Sequence, residues 1–243
     1  MDGFPLELLI FLFATFAGAL VAGLSGFAFG LVAASIWLYI LDPLQAATLI
    51  IAFGLIVQGL AVWKLRDALD WGKLWPFVLG AALGVPLGVL ILTWANPAHL
   101  RAGVGTLLVL YSLYALFRPA IAPLKAGGGA VDAGVGFLNG VIGGVTGLAG
   151  ILVTIWCGLR GWPKEVQRTV FQPVAVATFA MSALWIGARG AVTADTIKLF
   201  LIGLPALLAG TWLGLRLFGR LNEAAFRKIV LVLLLTSGVM LIV

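Results

Sequence analysis

Charge is scarce in this chain. Asp, Glu, Lys and Arg make up 10% of its 243 residues, against about 25% in a soluble domain. Hydrophobic residues reach 63% and mean hydropathy is +1.17. A soluble core of this length could not bury so much apolar surface, so lipid must be the main solvent and the chain reads as one polytopic membrane domain. A single cysteine, Cys157, excludes an internal disulfide framework, and no metal-type spacing surrounds it. It reads as a small apolar filler. The single histidine, His99, falls in a short loop. No nucleophile–base pair, metal cluster or phosphate-binding loop stands out, so the reading is of a chain that is not an enzyme and carries no metal and no cofactor. The N-terminus has Asp2 and Glu7 but no basic residue, unlike a cleavable signal peptide. The first apolar run is therefore expected to belong to the fold.

The net charge of +6 does not point to nucleic acid, because the basic residues are spread over short loops. Apolar segments of about 15–22 residues recur between those loops, each near the length that crosses ~30 Å of hydrocarbon. In the first half they fall at residues 5–24, 27–41, 44–63, 74–94 and 100–117. A Pro/Gly-rich stretch, RPAIAPLKAGGG, links residues 118–129. The second half reads 130–145, 148–159, 166–188, 196–218 and 223–243. The two halves echo each other. SGFAFG (Ser25 to Gly30) resembles TGLAG (Thr146 to Gly150), and Pro43 matches Pro163. GVPLGVLILTWANPAHLR aligns without gaps on GTWLGLRLFGRLNEAAFR, placing Gly84 and Gly88 on Gly210 and Gly214.

Charge placement sets the orientation. If the first two segments of each half form a hairpin, all but three of the 15 Lys and Arg residues (Arg101, Arg189 and Lys198) face the cytoplasm. A single crossing there would turn the later basic loops outward, against the positive-inside bias. Each half then crosses an odd number of times. The expected fold is all-α and polytopic: two inverted repeats (residues 5–117 and 130–243), each with a Gly-rich broken or re-entrant helical hairpin followed by three transmembrane helices. That plan is common among secondary transporters.

Both hairpins place a hydroxyl residue and glycines where two short helices meet. Broken backbone at membrane depth survives only when buried in protein or lining a cavity. A helix that starts there aims unpaired N–H groups at the gap and attracts anions. Ser25, Gly26, Thr146 and Gly147 are therefore candidate donors. Phe27, next to the first turn, is a candidate wall. Gln58, Asn139 and Gln172 are polar residues inside apolar segments, where an amide either bonds a neighbouring helix or contacts substrate. Arg168 is either a cytoplasmic-side charge or a cationic wall of an anion path. The glycines at 80, 84, 88, 210 and 214 have the spacing of close helix packing. No Asp or Glu lies mid-segment, so no protein-borne proton relay is expected. The partners expected are a small anion and the bilayer, with no nucleic acid, and a homodimer is admitted.

Taken together, the paired hairpins, GVPLG, RGWPKEVQRT (Arg160 to Thr169) and LPALLAGTWLG (Leu204 to Gly214) resemble the sulfite exporter TauE/SafE family over nearly the whole chain. The resemblance implies a duplicated membrane protein that moves sulfite, sulfonates or related organosulfur anions across the bacterial inner membrane, with the anion held at the midplane between the hairpins. The first hairpin departs from the family pattern: Phe27 and Phe29 stand where members often carry a run of glycines. Proton-linked uptake of an organic anion and a non-transporting scaffold subunit are the alternatives.

Overall fold

The computed structural model describes residues 4–25, 28–117, 124, 128–217 and 223–242. The described residues are almost wholly helical. Ten helices run in order: α1 (Phe4–Ser25), α2 (Phe29–Trp37), α3 (Pro43–Leu65), α4 (Trp71–Trp94), α5 (Pro97–Phe117), α6 (Gly129–Thr146), α7 (Ile151–Leu159), α8 (Lys164–Ala188), α9 (Ala194–Leu217) and α10 (Glu223–Ile242). Six of them (α1, α3, α4, α5, α8 and α9) contain stretches long and apolar enough to cross a bilayer. The chain is a multi-pass membrane protein.

The expected segment at residues 27–41 is shorter in the structure, where α2 stops at Trp37. Its last amides tighten into turns, with the Tyr39 N–H bonding Ile36 O and the Ile40 N–H bonding Trp37 O. Pro43 then forbids continuation, and the Asp42 carboxylate accepts the Gln45 N–H to start α3. On the loop before α4, Asp70 accepts from the Lys73 side chain and the Lys73 N–H. Those bonds hold its carboxyl below the usual range.

The helices gather into two compact units. One holds α1, α2, the first part of α3, α5, α9 and α10. The other holds the rest of α3 with α4, α6, α7 and α8. Each unit is built on one close contact between parallel helices. In the second, Gly80, Gly84 and Gly88 of α4 press on the carbonyls of Ala133, Phe137 and Val141 of α6. In return, Gly136 and Gly140 of α6 press on Phe77 and Ala81 of α4. In the first, Gly210 and Gly214 of α9 press on the carbonyls of Phe16 and Leu20 of α1. Backbones come this near only without side chains between them, and the contact gains dispersion and Cα–H···O attraction. The first unit also pairs α5 with α10 in antiparallel fashion. A Cβ added to Gly105 would lie 2.7 Å from Gly238 O, and one added to Gly238 would lie 2.8 Å from Gly105 O.

The two parallel contacts use matching residues. Gly84 meets Phe137 as Gly210 meets Phe16, and Gly88 reaches Gly144 as Gly214 reaches Gly23. In each unit, the fourth helix of one half of the sequence docks on the first helix of the other half.

Candidate functional site

The second unit carries the better-defined hairpin. α6 ends because Gly147 turns left-handed (φ 72°) and its N–H closes on Gly143 O at 2.9 Å, a glycine C-cap. The Thr146 hydroxyl donates to Ile142 O at 2.7 Å and accepts the Leu148 N–H at 3.0 Å. The turn is seated on both long helices. Gly143 leaves room for Ala149 and for Thr178 of α8, and Gly150 lies against Ala175 and the Phe171 carbonyl of α8. Gly150 is left-handed as well (φ 98°) and precedes α7.

Asn139 lies two turns before Thr146 on α6 and is 1% exposed. Its Oδ1 accepts the Gly150 N–H at 2.9 Å. Its Nδ2 is buried and has no partner among the described residues. The amide is thus pinned at the head of α7 with spare donors. The Gly150 carbonyl accepts from the Thr154 N–H and hydroxyl. The N–H groups of Ile151, Leu152 and Val153 find no acceptor among the described residues. They point out of the helix start, where the helix dipole is positive. The Thr146 hydroxyl and the Gly147 N–H bond α6. The donors of this turn without a partner among the described residues are Asn139 Nδ2 and the first amides of α7, which no side-chain pattern marks.

The other polar residues of this unit are also placed. Gln172 is 3% exposed on α8, between Phe171, which faces Gly150, and Pro173. Arg168 is half-buried one turn earlier on the same helix. Gln58 is 8% exposed on α3, and its Oε1 has no partner among the described residues. One turn before it, Gly54 is pressed against Phe179 of α8.

At the other end of this hairpin, Asp132 accepts the Trp156 indole N–H at 2.8 Å and pairs with Arg160 at 3.4 Å. The Arg160 guanidinium lies over the Trp156 and Trp162 rings. Cys157 beside it is buried and unbridged. The pair joins the first turn of α6 to the end of α7. Asp132→Ala should cost about 1–2 kcal/mol by leaving two partly buried donors unpaired. The check is the thermal unfolding midpoint in detergent.

The first unit builds its hairpin from aromatic rings instead. Asn139 stands two residues past Phe137, which meets Gly84. Two residues past Phe16, which meets Gly210, stands Gly18, with the Phe29 ring packed on it. Phe29 packs edge-on against Trp37 and Phe53, Phe11 stacks on Trp37 at 5.0 Å, and the Trp37 indole reaches Phe11 O at 3.4 Å. Gly26, Phe27 and the side chain of Ser25 lie outside the described residues. Gly30 and Gly150 end the two resembling stretches, SGFAFG and TGLAG, but they take different places in the structure. Gly30 lies inside α2, and Ala28 takes the left-handed position before the helix (φ 81°). A Cβ is strained there, so Ala28→Gly should stabilise the chain by roughly 0.5–1 kcal/mol after the added freedom of the unfolded chain. A rise in the unfolding midpoint is the readout.

With both hairpins in view, the comparison with known proteins is direct. The sulfite exporter TauE/SafE family profile matches residues 10–241. The chain belongs to the TauE/SafE family. It matches no curated protein and no solved structure. As a TauE/SafE member it is a membrane transport protein, and the match spans both hairpins and all ten helices. Among the described residues, no His, Cys, Asp or Glu cluster could hold a metal ion.

Proposed function

We propose that this TauE/SafE chain is a secondary transporter or exporter that carries sulfite or a small sulfonate across the bacterial inner membrane, holding the anion at the head of α7. The observation that carries this reading is the buried Nδ2 of Asn139 beside the first amides of α7, Ile151, Leu152 and Val153, all without a partner among the described residues. Donors fixed in place stabilise an oxyanion without reorganising around it. Gln172 is a secondary contact from α8, Arg168 lends its positive field from earlier on that helix, Thr146 and Gly147 shape the turn, and Gln58 is a contact from α3. Ser25, Gly26 and Phe27 are the candidate contacts that the sequence offers from the first half.

Two further observations support an inverted repeat. The matched contacts Gly84–Phe137 and Gly210–Phe16 fit a duplicated chain. The charge pattern makes α4 and α6 cross in one direction, as it does α1 and α9, while α5 and α10 cross in opposite directions. The contacts within each unit run the same way. With an inside-negative potential, one negative charge gains about 2.3 kcal/mol per 100 mV on leaving the cell, so export of a monoanion needs no coupled ion.

The test is flux in proteoliposomes that contain the purified chain, with an imposed potential. Potential-driven movement of sulfite or methanesulfonate supports the reading. No flux of either anion in vesicles with verified insertion contradicts it. Accumulation driven by a pH gradient alone would mark proton-linked uptake instead.

A further inference from the structure

We infer that the α7 site selects singly charged anions: hydrogensulfite and sulfonates pass, whereas the sulfite dianion and sulfate do not. This inference rests on the transport reading above and adds the charge state of the substrate.

The argument starts from what surrounds the donors. The groups at the turn are neutral: the Asn139 amide, the backbone of Gly150, the Thr146 hydroxyl and, on α8, Thr178. The positive contribution there is the start of α7, equivalent to roughly half a charge. Full charges stand farther off along every packed element. On α6, Asp132 precedes Asn139 by seven residues, about 10 Å of helix rise, and it is paired with Arg160. On α7, Arg160 caps the far end of the helix. On α8, Arg168 precedes Ala175, the residue against Gly150, by the same two turns. Lys164 and Glu165 lie earlier still, and Arg189 ends the helix. On α4, Lys73 sits at the helix start beside Asp70. The described part of α3 in this unit adds only Lys64.

The turn is also largely enclosed: Leu148, Gly150, Ile151 and Val153 are buried, and Thr146, Ala149 and Leu152 are half-buried. One negative charge can be matched there by the helix start, the Asn139 donors and the field of a single arginine. A second charge would lose its hydration with no further cation at the turn among the described residues to replace it, and that cost is steep in a low-dielectric interior. A singly charged sulfur oxyanion with three oxygens, and a lone pair or a small apolar group in the fourth position, fits this donor set.

The experiment compares three probes in the same proteoliposomes across neutral pH. Methanesulfonate stays a monoanion, sulfate stays a dianion, and sulfite converts from hydrogensulfite to its dianion as pH rises. The expected result is a flat methanesulfonate rate, no sulfate flux, and a sulfite rate that falls about tenfold per pH unit above the second ionisation of sulfite. Methanesulfonate is the internal control for any titration of the protein itself. Sulfate moving as fast as methanesulfonate would overturn charge selection and leave the transport reading standing. So would a sulfite rate that ignores pH while methanesulfonate stays flat. Absence of flux for all three would overturn both.

Discussion

Gly84→Leu separates α4 from α6 and lowers stability by about 3 kcal/mol. Any side chain at position 84 runs into the Phe137 carbonyl and lies 2.9 Å from the Val141 nitrogen. Those atoms are helix backbone and cannot swing aside as a side-chain tip could. Parallel helices in lipid are held by packing rather than by hydrophobic expulsion, so an imposed gap removes the main attraction between them. The expected readout is a large fall in the unfolding midpoint in detergent and loss of the monodisperse peak. Gly84→Ala should show the same effect at smaller size. Gly103, where an added Cβ meets nothing within 4 Å, is the control site. An unchanged midpoint for Gly84→Leu would mean the α4–α6 contact does not organise this unit.

Asn139→Asp tests the site without removing the turn's support. The carboxylate still accepts the Gly150 N–H, so the bond that seats α7 survives. The two Nδ2 donors are replaced by negative charge at the place proposed for the anion. Transport of methanesulfonate should fall about a hundredfold or more, the scale of losing one preorganised oxyanion donor, while the chain still folds, with a midpoint lowered by the burial of a carboxylate that the start of α7 offsets in part. Asn139→Leu should lose both properties, since the Gly150 N–H is then buried without a partner, at a cost of about 1–3 kcal/mol. Equal transport by wild type and Asn139→Asp would remove Asn139 from anion binding.

These variants also mark what was legible in the sequence. The helix breaks after α1 and α6 were readable because glycines and a hydroxyl interrupt apolar runs at matching points. The packing role of Gly84, Gly88, Gly210 and Gly214 was readable from spacing alone, since small residues four apart share one helix face. Their partners were not, because α4 docks on α6 and α1 on α9 over long sequence separations. The left-handed position before α2 falls on Ala28, a residue type that does not signal it. Conformation there follows the length of the connection, which is one residue shorter before α2 than before α7. The donors of Ile151, Leu152 and Val153 are backbone groups and leave no residue signature. Asn139 was visible as a polar residue in an apolar run. Its contrast with Gly18 emerged only when the matching helix contacts fixed the register.

The central claim is that an anion binds at the head of α7. It is tested most directly by nitrogen-15 NMR of the full chain in lipid nanodiscs, titrated with sulfite at slightly acidic pH. The account predicts that the backbone amides of Ile151, Leu152 and Val153 and the side-chain amide of Asn139 shift together and saturate with one binding curve. Saturating shifts confined to other helices, with these four resonances unmoved, would contradict it.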